Sequence, residues 1–466
     1  MKRTKIICTI GPASDSKTVL RQLISNGMNV ARLNFSHNVH EYHLKVIKTV
    51  RLLSKELKRP IGIVADMQGP RIRLGDLPKK GVNLKKGQKL VISTEEKVLK
   101  NEISVTYEKM HQDVQVGDRI LIADGLIELT VNSVKGKKII TKVKTGGTIF
   151  SHKGLNLPDS KVSLSALTEK DKTDLDFAIK NKADFIAISF VRDEHDVYNL
   201  RTLINKTVKK YKFENYQPKV IVKIERKDAI HNLDRIIEVT DVVMIARGDL
   251  GIELNASEVP ILQKMIIDKC IKAAKPVIVA TQMLESMMKN PRPTRAEVSD
   301  VANAVIDHTD AVMLSGETAL GNYPKQAVSM LNKISLDTEK SVYDDYVIQE
   351  KTKKINNKKE ELSRTIKALC EESDIQTVVL HASKLEIATL VSRYRPEVAL
   401  YVCSDNQALV NQLNLVWSVS PYFVKSNDVE SFYKKLIRDK VIKKQSKVLL
   451  VKNADKKIED IRIEIV

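Results

Sequence analysis

Between Thr4 and about Glu339, short apolar runs alternate with stretches whose apolar residues recur at helical spacing. The runs are Lys5–Ile10, Asn29–Phe35, Ile61–Met67, Asp184–Phe190, Val220–Glu225, Val242–Ala246, Pro276–Thr281 and Ala311–Ser315, and each predicts a strand. Ser16–Ser25, His40–Leu57, Glu169–Lys180, Val197–Ile204 and Glu258–Ala274 carry the amphipathic pattern of helices. Eight such strands in one βα array imply an α/β fold, a (β/α)8 TIM barrel. A doubly wound open sheet is the alternative.

The third strand is not followed by a helix. From Arg71 to about Lys153 the pattern changes to short alternating strands: Gln88–Ser93, Asp118–Ala123 and Lys138–Val143, with glycine-containing turns between them. This predicts a small β-barrel lid inserted where barrel active sites lie, placed to close over a substrate. After Val342 comes a charged connector, Gln349 to Lys359, and then a second α/β pattern. Its helices are expected at Leu362–Glu372, Glu386–Tyr394, Gln407–Leu415 and Val429–Val441. Its strands are expected at Thr377–Ala382, Val398–Cys403, Tyr422–Val424, Lys447–Val451 and Ile461–Val466. The expected division is barrel 1–70 and 155–342, lid 71–154, and a C-terminal α/β domain 343–466 with a mixed sheet.

Composition fits this picture. A chain of 466 residues exceeds what one core usually supports. Hydrophobic content of 42% and charged content of 29% describe a soluble globular protein. The N-terminus enters a strand pattern at once, which leaves no room for a signal peptide. Cys8, Cys270, Cys370 and Cys403 fit no CxxC metal spacing and suit reduced, mostly buried positions. A cytoplasmic protein is expected, with no membrane partner. The formal net charge is +20, but the lysines are scattered and no aromatic-interleaved basic stripe occurs. Lysine-rich solvated faces explain that charge better than nucleic-acid binding does.

The chemistry concentrates at strand ends. Lys219-Val-Ile-Val-Lys223-Ile-Glu225 places Lys223 and Glu225 on one face, because alternate strand residues point the same way. The next strand runs into Arg247-Gly-Asp249-Leu-Gly251. Glu225 and Asp249 can then share one hard divalent cation, and a lysine beside it suits stabilisation of phosphoryl or enolate charge. A plain buried ion pair of Lys223 with a carboxylate is the competing reading. Arg32, Asn34 and Ser36 share a face at the end of the second strand. Asp66 ends the third, followed by Arg71 and Arg73. Thr281 ends the seventh and Ser315-Gly-Glu317 the eighth. Gly248 and Gly251 offer close approach to backbone N–H groups, an anion subsite if a helix begins there.

Long ordered motifs add to this. They are Thr4-Lys-Ile-Ile-Cys-Thr-Ile-Gly-Pro-Ala-Ser14, Met28-Asn-Val-Ala-Arg-Leu-Asn-Phe-Ser-His37, Ala246-Arg-Gly-Asp-Leu-Gly-Ile-Glu253, Ala280-Thr-Gln-Met-Leu-Glu-Ser286, Pro291-Arg-Pro-Thr-Arg-Ala-Glu297 and Met313-Leu-Ser-Gly-Glu-Thr-Ala319. In these residues the chain resembles the pyruvate kinase family. The resemblance implies transfer of the phosphoryl group of phosphoenolpyruvate to ADP, giving pyruvate and ATP. It implies Mg²⁺ (or Mn²⁺) on Glu225 and Asp249, and Lys223 as the stabiliser of the transition state. Substrate contacts fall on Arg32, Lys223, Gly248, Asp249 and Thr281. Nucleotide contacts fall on Asn34, His37, Arg73 and Lys153. Catalytic roles fall on Lys223, Arg32, Arg73 and Thr281. A K⁺ site falls on Asn34, Ser36, Asp66 and the carbonyl of Met67, and family habit implies a homotetramer.

Three stretches depart from the family pattern. Potassium-dependent members carry a glutamate where this chain has Arg71, whose guanidinium can supply the charge that K⁺ brings, so activity largely independent of K⁺ is expected. The effector loop of the C-terminal domain reads His381-Ala-Ser-Lys-Leu-Glu-Ile387, without glycine. The Gly-rich loop expected between the last two strands is replaced by Lys452-Asn-Ala-Asp-Lys-Lys-Ile-Glu459. A phosphate cradle needs open backbone N–H groups, so activation by phosphorylated sugars is expected to be weak or absent.

Overall fold

Eight parallel strands close into a barrel in the computed structural model, which describes residues 2–95, 99, 102–344, 358–425, 428–452 and 460–466. They are β1 Lys5–Thr9, β2 Val30–Asn34, β3 Gly62–Asp66, β4 Phe185–Ile188, β5 Lys219–Ile224, β6 Val242–Ala246, β7 Val277–Ala280 and β8 Ala311–Leu314. These lie within a residue or two of the apolar runs. The runs are continuous because both strand faces are buried, one in the lumen and one beneath helices. Ile7, Val30, Val64, Phe185, Ile221, Met244, Ile278 and Met313 fill the lumen. The open-sheet alternative is excluded.

The helices differ more from expectation. The Val197–Ile204 pattern is the centre of a longer helix, Glu194–Lys210, capped by the Asp193 carboxylate on the His195 and Asp196 N–H groups. Arg295–Ile306 and Pro324–Thr338 were not among the expected helices. The first opens with a capping box, Thr294 and Glu297, whose polar cap is separate from the apolar period.

Between β3 and β4 stands the inserted β-structure. A six-stranded sheet runs 155–156, 119–122, 127–135, 138–145, 89–93 and 102–104, beside a two-stranded pair of 82–84 with 147–149. It buries its own core around Leu74, Ile92, Ile120, Leu129 and Ile149. Strand Ile127–Lys135 was not expected, although buried Ile127, Leu129 and Val131 alternate with polar residues along it.

The C-terminal sheet has β9 Thr377–His381, β10 Ala399–Ser404, β11 Val419–Phe423, β12 Lys447–Lys452 and β13 Asp460–Ile465, in the order β11-β10-β9-β12-β13. Only β13 runs antiparallel, so the sheet is mixed as expected. This unit plugs the N-terminal end of the barrel. Leu415 packs among the lumen residues. Arg395 forms a buried ion pair with Asp310 at 3.1 Å, and Lys5 Nζ donates to the Val419 carbonyl at 2.7 Å. Gly62 permits the approach, since a Cβ there would lie 3.1 Å from the Asn411 carbonyl oxygen. The strand ends that carry the candidate chemistry lie at the opposite, C-terminal mouth. Among the described residues no helix is long and apolar enough to cross a membrane.

Candidate active site

Lys223 is the hub of the mouth. Its ammonium lies 2.8 Å from Glu225 Oε1, donates to Ser189 Oγ at 2.9 Å and stands 3.5 Å from Asp66 Oδ1. The shared face predicted from alternation is therefore real, and the ion-pair reading is also correct. Both hold at once. Burial would lower the ammonium pKa, but Asp66 and Glu225 outweigh it and hold Lys223 above its usual value. Glu225 is almost wholly buried and accepts from the Phe190 N–H at 2.8 Å. Burial pushes its carboxyl up to about 7; Lys223 opposes this and the Asp249 charge adds to it.

Arg32 forms the second arm. Its Nε donates to Asp66 Oδ2 at 2.7 Å and its Nη1 to Thr9 Oγ1 at 2.8 Å. Burial works against the Asp66 carboxylate, yet Lys223 and Arg32 keep its pKa below the ordinary range. The same strand pairing that sets Asn34 beside Asp66 brings these groups together. Asp66 Oδ1 is buried and receives no hydrogen bond. Asn34 Oδ1 accepts from the Ser36 N–H, and the Met67 carbonyl from Ser189 Oγ. These oxygens, with one left unsatisfied, fit a monovalent cation.

Thr281 is strained. Its φ of +70° is rare for a β-branched residue, and Gln282 follows at +54°. Such a conformation costs about 1–3 kcal/mol and persists only where the surroundings hold it. Thr281 Oγ1 donates to the Ala280 carbonyl and accepts from the Gly248 N–H at 2.8 Å. A seven-residue helix, Arg247–Glu253, does begin here, but the Gly248 N–H expected to face an anion is engaged by Thr281. A Cβ on Gly248 would meet only the Thr281 side chain at ordinary contact distance, 3.4 Å or more. Nothing in the protein itself demands glycine there.

The residues fit a divalent cation. Asp249 is half-buried, faces Glu225 closely enough to shift it, and has no hydrogen-bond or ion-pair partner among the described residues. Two carboxylates against one ammonium leave this corner negative. No cluster of three His, Cys, Asp or Glu residues suited to a metal occurs among the described residues. Two carboxylates supplemented by substrate oxygens and water are what Mg²⁺ typically takes.

The rim carries the remaining expected residues. Arg73 Nη1 donates to the His152 carbonyl at 3.2 Å, and Arg71 pairs with Asp124 of the lid at 3.3 Å. His37 lies at the exposed rim, where partial desolvation of its ring, then Arg73, Arg32 and Arg71, hold its imidazole below the usual range. The Lys153 side chain is exposed, while its carbonyl accepts from the Leu74 N–H. One expectation fails. Glu317 does not join the mouth as a free carboxylate, because it is buried and accepts from the Leu284 and Ser315 N–H groups. Thr9 and Ser189 were missed, although both end barrel strands. The β1 and β4 ends in Cys8-Thr9 and Ile188-Ser189 were the signal available.

Comparison with known proteins agrees with this geometry. The family model "Pyruvate kinase, barrel domain" matches residues 1–328, and "Pyruvate kinase, alpha/beta domain" matches residues 360–460. The pyruvate kinase of Geobacillus stearothermophilus is 44% identical over 422 residues, covering 90% of this chain and 71% of that protein. That of Bacillus licheniformis is 40% identical over 459 residues, covering 98% and 77%. The crystal structure of a pyruvate kinase from Cryptosporidium parvum superposes with a TM-score of 0.93 at 36% identity, covering 100% of this chain and 96% of that one. The chain belongs to the pyruvate kinase family and is a phosphotransferase of that family.

Proposed function

We propose that this chain transfers the phosphoryl group of phosphoenolpyruvate to ADP at the barrel mouth, with Glu225 and Asp249 holding Mg²⁺ or Mn²⁺. The Lys223–Glu225 pair beside an unpartnered Asp249 is the observation that carries this reading. Bound there, the divalent cation would supply positive charge to offset the negative charge of the substrate.

Phosphoryl transfer needs positioning and charge neutralisation more than covalent help. Lys223, held by Glu225, Ser189 and Asp66, places its positive charge where the phosphoryl group moves. Arg32 is fixed by Asp66 and Thr9 and presents its remaining donors to the same group. Arg73, His37, Asn34 and Lys153 line the side from which ADP enters. Gly248 leaves room for substrate against the helix, and the Thr281 hydroxyl orients the proton that reaches the enolate carbon. The same reading divides the chain into barrel 1–70 and 155–342, lid 71–154 and C-terminal domain 343–466, working as a cytoplasmic homotetramer. A coupled assay should show pyruvate only when ADP and a divalent cation are both present. Pyruvate formation without ADP would overturn it.

Potassium is proposed to be dispensable. Arg71 sits at the lid hinge, and its field reaches His37 and Arg73. The Asn34, Ser36, Asp66 and Met67 oxygens remain able to take a monovalent ion. Replacing K⁺ by tetramethylammonium is expected to change kcat by less than about twofold, whereas Arg71→Glu should create a clear K⁺ requirement. A collapse of wild-type activity without K⁺ would end this idea.

The effector site is proposed to be degenerate. The link from β9 to helix Leu385–Arg393 offers Ala382, Ser383 and Lys384, with no side-chain cap at Lys384. Residues 453–459 of the other expected loop lie outside the described residues. Adding a sugar bisphosphate should move the apparent KM for phosphoenolpyruvate by less than about twofold. A tenfold drop would be inconsistent with the proposal.

A further inference from the structure

We propose that Arg247 is a positioning residue for the reaction, acting by holding Thr281 in its left-handed turn. The proposal rests on the role given to Thr281 above. A β-branched residue at φ +70°, followed by another non-glycine residue at +54°, relaxes unless something holds its backbone. The Arg247 guanidinium does so. Its Nη2 donates to the Thr281 carbonyl at 2.8 Å and to the Gln282 carbonyl at 3.3 Å, so one group gathers both strained residues. The same nitrogen stands 2.9 Å from Met283 Sδ. Nη1 is anchored on Asp300 at 2.7 Å and reaches Gln263 at 3.4 Å. The side chain is nearly buried, so its guanidinium is held by these protein partners.

Sequence adjacency completes the clamp. Gly248, the next residue, donates its N–H to Thr281 Oγ1 at 2.8 Å. The dipeptide Arg247-Gly248 thus grips Thr281 by its carbonyl through one residue and by its hydroxyl through the other. The same helix carries Asp249, so the metal carboxylate and the hydroxyl of Thr281 keep a constant separation. Lysine cannot reproduce this, since a single ammonium cannot span two carbonyls and Asp300 with the planar fork of a guanidinium.

Arg247→Met keeps the bulk of the stem and removes the fork. Its kcat is expected to fall about 30-fold, while the KM for phosphoenolpyruvate and the apparent Mg²⁺ constant stay within about threefold of wild type. Arg247→Lys should recover only part of the loss. Asp300→Asn, which loosens the far end of the guanidinium, should show the same kcat-selective pattern at smaller size. A cycle with Thr281→Ala decides whether Arg247 acts through Thr281. In the Thr281→Ala background, Arg247→Met should lower kcat by no more than about twofold further. Exchange of pyruvate methyl hydrogens with D2O, followed by NMR, should fall in parallel with kcat. If Thr281→Ala leaves kcat unchanged, the role of Thr281 itself is wrong. If Thr281→Ala is impaired but Arg247→Met is not, or the two losses multiply, the positioning role is refuted while that of Thr281 stands. A loss of melting temperature with equal damage to KM and kcat would make Arg247 a merely structural residue and overturn the proposal.

Discussion

A Lys223→Met variant is expected to lose about 10³-fold or more of kcat while still binding phosphoenolpyruvate and Mg²⁺. Methionine keeps the unbranched stem and deletes the charge. The ammonium stands 2.8 Å from Glu225 and 3.5 Å from Asp66, and its pairing with them favours the protonated form. Removing one partner of a buried pair commonly destabilises by about 3–5 kcal/mol. The cost here should be smaller. In the metal-free protein Glu225 already stands at about 7 and rises further without Lys223, so there it takes up a proton instead of remaining an isolated charge. Asp66 keeps its bond from Arg32. Thermal melting and calorimetric titration with phosphoenolpyruvate should therefore show a folded, binding-competent protein. A kcat within tenfold of wild type would show that the ammonium does not stabilise the transferring group.

Asp249→Asn is expected to raise the apparent Mg²⁺ constant and to lower kcat/KM by about 100-fold or more. The substitution preserves shape and removes one of the two charges proposed to hold the ion. Asp249 engages no protein donor among the described residues, so its replacement breaks no internal contact and the melting temperature should hardly move. Its charge also pushes Glu225 upward, so Glu225 should ionise somewhat more readily in the variant. That gain does not replace a ligand. Mn²⁺ binding followed by electron paramagnetic resonance separates the two effects. An Asp249→Asn protein that titrates Mn²⁺ like wild type would remove this residue from the metal site.

Much of the proposed catalytic set was legible as strand ends. Lys223 and Glu225 were placed on one face by a period of two, and the fold brings them into contact. Arg32, Asp66 and Thr281 followed because apolar runs stop where the barrel opens. Glu317 was misjudged because a carboxylate after a strand looks the same whether it meets substrate or caps backbone N–H groups. Ser189 and Thr9 passed unnoticed because a lone hydroxyl carries little signal until its partners, Lys223 and Arg32, are seen beside it.

The chain itself determined the barrel, the interruption after β3, the separate C-terminal unit and the family. Periodicity and long motifs are local, and each segment carries its own record of what it must bury. Only the tertiary structure decided that Leu415 stoppers the lumen, that Arg71 reaches the lid at Asp124, and that Arg247 grips a strained Thr281. Those contacts join residues far apart along the chain, and their energies depend on burial and direction, which no linear pattern encodes.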